Sequence, residues 1–168
     1  MKKYKRVFSI NNDLGYRNYT VRDIIQLKGK KKLTQVRVTN AEEAAAAEEA
    51  GIDLLLTGPG PEFSKIRKAA AKTFMTVGVP FIQNPSKRDA TKKAFEIIEA
   101  GADSLMCQNW NLDWMKHLSK FRIPFQSHVG FIPRRTTWIG SIRSFGKKAA
   151  KGQKCLGAAG GNEPAGAQ

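Results

Sequence analysis

The chain has 168 residues, 41% of them hydrophobic, enough for one domain with an apolar core, so disorder throughout is excluded as a reading. No run approaches the roughly 18 to 20 apolar residues of a membrane span, and Met1-Lys2-Lys3-Tyr4-Lys5-Arg6 leads into no signal-peptide apolar region, so a cytoplasmic protein is expected. The 29 Lys plus Arg against 14 Asp plus Glu give a formal charge of +15, which favours anionic partners without choosing among nucleic acid, small phosphorylated or carboxylate ligands, and acidic proteins.

The lysines gather in the first six residues, around Lys28-Gly29-Lys30-Lys31-Lys32, and between Lys147 and Lys154. No continuous basic helix with interleaved aromatics is present, so a solvated surface is preferred over a nucleic-acid interface. Cys107 and Cys155 have neither the number nor the spacing of a disulfide framework or zinc site and are expected as free thiols.

Residues 1–19 read as a basic N-terminal extension. Lys32 to Thr39 (KLTQVRVT) has strand alternation, and Asn40 can cap the Ala/Glu-rich helix that follows, with Gly51 as its stop. Ile52 to Thr57 is a continuous apolar run typical of a buried parallel strand. Gly58-Pro59-Gly60-Pro61 breaks it before a helix from Glu62 to about Lys72. Phe74 to Pro80 is the third strand, and Ser86 to Ala100 the next helix, with Ala90, Ala94, Phe95, Ile97 and Ile98 as its apolar positions. Ser104 to Gln108, Leu112 to Phe121 and Ile123 to Val129 complete the alternation as strand, helix and strand. A Gly/Ala-rich tail occupies 153–168.

Alternating strands and helices argue for parallel βαβ units with right-handed crossovers, hence the α/β class. No strand leads into G-x-G-x-x-G, and the prolines of Gly58-Pro59-Gly60-Pro61 remove amides that a phosphate cradle would need, which argues against a dinucleotide fold. The phrases EEAGIDLLL and IEAGADSLM share a helix end, a glycine and a strand start. Such joints are ordinary punctuation in α/β proteins, and their spacing fits the repeated units of a barrel.

Residues 20 to 58 (TVRDIIQLKGKKKLTQVRVTNAEEAAAAEEAGIDLLLTG) resemble the opening of ketopantoate hydroxymethyltransferase, the 3-methyl-2-oxobutanoate hydroxymethyltransferase family. VGVPF at 77 to 81, EAGADSLM at 99 to 106 and IPFQSHVGFIP at 123 to 133 are similar to later segments of the same family, in the same order, and SHVGFIP resembles its G-H-[IL]-G-L-T-P motif. The resemblance spans about residues 20 to 152 and implies a partial (β/α)8 TIM-type barrel of the phosphoenolpyruvate mutase and isocitrate lyase superfamily, with about five strand-helix units readable.

It also implies a transferase of one-carbon metabolism and pantothenate biosynthesis. Such an enzyme passes a hydroxymethyl group from 5,10-methylenetetrahydrofolate to a 2-keto acid. A divalent metal, usually Mg2+, holds the keto and carboxylate oxygens and stabilises the enolate formed when a glutamate removes the adjacent proton. The chain departs from that pattern. Family G-D-S corresponds to Gly58-Pro59-Gly60, A-D-[LM]-P-F to Val77-Gly78-Val79-Pro80-Phe81, and K-[IL]-E to Met106-Cys107-Gln108. Hard cations bind carboxylate oxygens, so the family's metal site is expected to be lost. No catalytic residue is assigned on this reading.

His128 is the family polar residue retained, placed to donate to a keto-acid carboxylate; the alternative is a strand end bonded to a backbone carbonyl. Gln108, Asn109 and Asn111 either contact a ligand or cap the next helix, with His128 and Gln108 the expected substrate-binding pair. Arg134 and Arg135 either attract an anion or lie in a solvated loop, and Trp110 and Trp114 read as packing residues rather than a pterin platform. Glu42, Glu43, Glu48 and Glu49 lie on an exterior helix and are not read as catalytic acids.

Five strands are readable where a closed barrel has eight, and the family's general-base glutamate belongs to the strand that would begin just beyond residue 168. The chain is therefore expected either to be part of a longer protein or to complete its sheet as a homo-oligomer. Three functions remain open: a divergent hydroxymethyltransferase, a non-catalytic keto-acid or anion binder, and a basic nucleic-acid-associated protein.

Overall fold

A computed structural model describes residues 4–80, 86–108, 112–128, 131, 133, 136–142, 144, 146–150 and 152–153. The chain divides into two compact units, 1–105 and 106–168.

The first unit opens with a hairpin of β1 (Lys5–Phe8) and β2 (Leu14–Arg17), antiparallel with Arg6 opposite Tyr16 and Phe8 opposite Leu14. Helix α1 (Val21–Leu27) follows. Neither the hairpin nor this helix is among the elements read from the sequence, although Thr20-Val21-Arg22-Asp23 carries a legible start signal. The Thr20 hydroxyl accepts from the Asp23 amide while the Asp23 carboxylate accepts from the Thr20 amide at 2.8 Å, a capping box.

Strands β3 (Gln35–Arg37), β4 (Leu54–Thr57) and β5 (Phe74–Gly78) pair in parallel, with Val36 opposite Leu55 and Leu55 opposite Met75. Helices α2 (Ala41–Glu49), α3 (Phe63–Ala69) and α4 (Lys87–Glu99) separate the strands in sequence. Leu55, Ile66, Met75, Val77 and Leu105 are fully buried and form the core of this unit. Four of the five residues of β5 are buried, as expected of a strand covered on both faces.

Asn40 caps α2, accepting from the Glu43 amide at 2.8 Å, and Ser86 caps α4 in the same way at 3.1 Å. Helix α3 ends at Ala69, short of the expected Lys72, because Ala70 leaves helical geometry and its carbonyl accepts from the Arg67 guanidinium.

Strand β6 (Ser104–Gln108) begins in the first unit, where the Asp103 amide donates to Met75 O at 2.9 Å. The second unit holds the rest of β6, then α5 (Leu112–Ser119), β7 (Phe125–His128) and α6 (Thr136–Ile139), with Met115 and Leu118 buried. The sheet order is β3-β4-β5-β6-β7. It follows the chain without the reversal that marks a doubly wound fold, and this is the progression of a (β/α) barrel wall. The class is α/β, a partial TIM-type barrel. Among the described residues, no helix is long and apolar enough to cross a membrane.

The two repeated joints turn out to be matched devices. Gly51 (φ 78°) and Gly101 (φ 102°) each take the left-handed conformation and close a Schellman end: Ile52 N bonds Ala47 O, and Ala102 N bonds Ile97 O. A Cβ on Gly101 would also meet Arg67 Cγ at 3.2 Å. Two residues further, an aspartate reaches back to the preceding strand. Asp53 accepts from Thr34 N at 3.0 Å, and Asp103 from Met75 N at 2.8 Å.

Asp103 also accepts from Arg17 Nε at 2.7 Å and Arg67 Nη1 at 3.1 Å. Arg67 is 9% exposed, and burial pulls its guanidinium down to about 10 although Asp103 holds it upward. Asp103→Ala would leave this cation buried without its counter-charge, and such losses cost about 3–5 kcal/mol. Urea unfolding followed by far-ultraviolet dichroism should register a loss of that size; a loss below about 1 kcal/mol would show that the two arginines are satisfied by their carbonyl partners alone.

Candidate functional site

In a parallel sheet the two strand ends differ in kind, because the loops leaving the C-terminal ends are free to carry function while the N-terminal ends serve stability. The polar groups of the first unit divide along that line.

At the N-terminal ends of β4, β5 and β6 every described acid is engaged in holding backbone. Asp53 accepts from Thr34 N, from Thr34 Oγ1 at 3.1 Å and from Tyr19 OH at 3.1 Å. Burial pushes its carboxyl up, but the Thr34 amide and hydroxyl, Tyr19 and Lys31 together pull it below the usual range. Glu48 accepts from Lys72 N at 2.9 Å and from Thr73 N and Oγ1 at 2.8 Å, so this α2 carboxylate ties the helix to the start of β5. Asn18 bridges the same region, donating from Nδ2 to Asp53 O and accepting from Phe74 N, each at 2.8 Å. Glu43 does no more than hold the α2 start, where the Thr39 amide and hydroxyl keep its carboxyl low. Of the α2 glutamates, Glu43 and Glu48 thus hold backbone and hydroxyl partners.

The C-terminal ends carry different residues. Thr57 closes β4 and is buried, with Gly58-Pro59-Gly60 immediately after it. Gly78 closes β5; among the described residues a Cβ there would meet only Thr57 O, at an ordinary contact distance of 3.8 Å, and around Gly58 and Gly60 nothing lies within 4 Å. The residues that close the two strands, Thr57 and Gly78, carry no carboxylate, and the described acid that follows β4, Glu62 at the start of α3, pairs with Lys65. In the second unit Gln108 ends β6 and His128 ends β7, the neighbouring strand. His128 is half-buried. Cys107 is fully buried, and desolvation alone pushes its thiol up to about 12. Asn109, Trp110, Asn111, Arg134, Arg135 and Cys155 lie outside the described residues. Trp114 is half-buried on α5.

A family model described as ketopantoate hydroxymethyltransferase matches residues 61–168. The chain belongs to this family. Among curated relatives, the 3-methyl-2-oxobutanoate hydroxymethyltransferase of Kosmotoga olearia is 31% identical over 150 residues, 76% of this chain and 56% of the relative. The enzymes of the same name from Staphylothermus marinus and Caldivirga maquilingensis are 25% and 27% identical, covering 82% and 90% of this chain and 59% and 66% of their own lengths. The chain spans less than two thirds of the length of these relatives.

Against the family resemblance, each of the four strand ends from β4 to β7 bears one position of interest: Pro59, Gly78, Gln108 and His128. The donor set does not fit the family's divalent cation. The β4 and β5 ends offer a buried threonine and glycines, and Asp53 and Asp103 are committed at the opposite ends of the strands. Among the described residues no group of three or more His, Cys, Asp or Glu side chains could hold a metal ion. Glu48, Asp53 and Asp103, the most heavily engaged carboxylates, are not marked as fold-holding by any familiar motif; for the two aspartates the twice-occurring E-A-G-x-D is the available signal, and Glu48 lies outside it.

With its thiol held protonated at neutral pH, Cys107 should not react with a thiol reagent in the folded chain. In Cys155→Ser protein, labelling by a chromogenic disulfide should be under about a tenth of an equivalent in native buffer and complete in denaturant. Full native labelling would place this thiol in contact with solvent.

Proposed function

We propose that this chain is a divergent 3-methyl-2-oxobutanoate hydroxymethyltransferase-like protein that has kept recognition of a small 2-keto acid and lost metal-assisted enolisation. Membership of the family supports the substrate class, and the strand-end chemistry supports the loss. The observation that carries the reading is that β4 and β5 end in Gly58-Pro59-Gly60 and Gly78, which carry no carboxylate where the family pattern has aspartates.

Without a cation, the negative charge of a keto acid has to be met by hydrogen-bond donors. His128 and Gln108, on adjacent strand ends of the second unit, are the substrate-binding residues in this reading. An imidazole N–H and an amide N–H2 can each donate to a carboxylate or keto oxygen, and neither requires Mg2+. Transfer of a hydroxymethyl group from 5,10-methylenetetrahydrofolate is the activity of the family as a whole. This chain's own residues would bind and orient the acceptor.

Calorimetry with 3-methyl-2-oxobutanoate is the test, run with and without Mg2+, alongside an assay for ketopantoate with methylenetetrahydrofolate. Binding should be independent of Mg2+ and weakened about tenfold or more by His128→Ala, the worth of one charge-assisted hydrogen bond. No ketopantoate should form above background. Saturable Mg2+-dependent turnover would overturn the loss of the metal function, and absence of heat with the keto acid would overturn its recognition. The Pro59→Asp, Gly78→Asp double variant should acquire a thermal stabilisation by Mg2+ that the parent lacks, since it returns two oxygen ligands to neighbouring strand ends.

A further inference from the structure

The hairpin is the part of the first unit whose outward face is least explained by packing. Its inward face is spent on anchoring: Lys5 pairs with Asp23, and Arg17 reaches Asp103 as well as Ala71 O at 2.8 Å. The register puts the alternate residues Arg6, Phe8, Leu14 and Tyr16 together on the other face. Phe8 is 63% exposed, Leu14 50% and Tyr16 47%. Tyr4, which precedes β1, is also exposed, and Lys72 Nζ lies 5.1 Å from its ring centroid. Among the described residues Arg6 is paired with no carboxylate, and the nearest acid of the hairpin tip, Asp13, is bonded to Ser9.

Two exposed aromatic rings and a leucine around Arg6 on a short, firmly tied sheet, with Tyr4 and Lys72 at its start, are an unusual surface for a folded domain. We propose that this hairpin face is a docking platform for single-stranded nucleic acid, with bases stacking on Tyr4, Phe8 and Tyr16 and phosphates met by Arg6 and Lys72. Every base has a π-face, and stacking on aromatic side chains beside cations is the sequence-tolerant mode of single-strand recognition. Charge selects this occupant. A second copy of the chain would bring Arg6 and Lys72 against their own kind on molecules that each carry +15, whereas a polyanion complements both the patch and the whole. The platform does not depend on the keto-acid reading.

Fluorescence anisotropy of the full chain with a labelled short single-stranded oligonucleotide of mixed sequence tests the assignment. Binding is expected at about 50 mM salt, with steep weakening towards about 200 mM, and a duplex of the same sequence should bind less tightly because its bases are already stacked. The Phe8→Ala, Tyr16→Ala double variant should lose about tenfold or more in affinity with an unchanged thermal transition, and Phe8→Trp, Tyr16→Trp should retain it. Arg6→Ala should lower the slope of log affinity against log salt by about one. No binding at low salt overturns the proposal. So does equal binding by the alanine pair, which would mean diffuse charge attraction alone. So does a parent that sediments as a concentration-dependent oligomer and becomes monomeric in the alanine pair, the signature of a copy-to-copy contact, or one that co-sediments with uncharged lipid vesicles through the same residues.

Discussion

The carboxylate of Asp103 is the point on which the first unit turns. Three groups from distant parts of the chain meet there: Arg17 from the hairpin, Arg67 from α3 and the amide of Met75 from β5. None of the three has an equivalent alternative, because the arginines lie in surroundings that exclude most water and the amide belongs to a buried strand. A charge network of this kind is not a strong source of net stability, since desolvation offsets most of the attraction. Its value lies in what its loss would cost, and so it fixes one relative placement of hairpin, helix and strand among the many that hydrophobic contact alone would allow.

That placement separates tasks along the strands. Glu48, Asp53 and Asp103 hold backbone amides where strands begin, while β4 and β5 close on Thr57 and Gly78. In the ketopantoate hydroxymethyltransferase family pattern those latter ends hold the cation. On the proposed reading the chain keeps the half of the barrel logic that concerns folding and alters the half that concerns chemistry, the two being carried by different ends of the same elements. His128 at the end of β7 suits that reading, because an imidazole N–H can donate to a keto acid without a cation.

Much of this was legible beforehand. Asn40, Ser86, Gly51 and Gly101 marked helix ends that the structure places within a residue or so, because capping and left-handed closure are local effects. The five expected strands became the five strands of the sheet, Ser104–Gln108 with its bounds unchanged and the other four trimmed. What escaped was of two kinds. The hairpin was hidden because KRVF and LGYR are too basic and too short to show a two-residue period, and its stability comes from Arg17 and Asn18 reaching residues 35 to 86 positions away. The role of Asp103 was hidden because two of its partners are arginines in segments whose proximity only the folded chain reveals. For the strand ends, the substitutions at Pro59 and Gly78 were readable directly.

The E-A-G-x-D joints have a further implication. Each aspartate ties its own strand to one made earlier, Asp53 to Thr34 at the start of β3 and Asp103 to Met75 of β5. β4 and β5 each find a hydrogen-bonding neighbour that was made before them. A sheet whose pairing order is its order of emergence from the ribosome can be assembled during translation, one strand at a time.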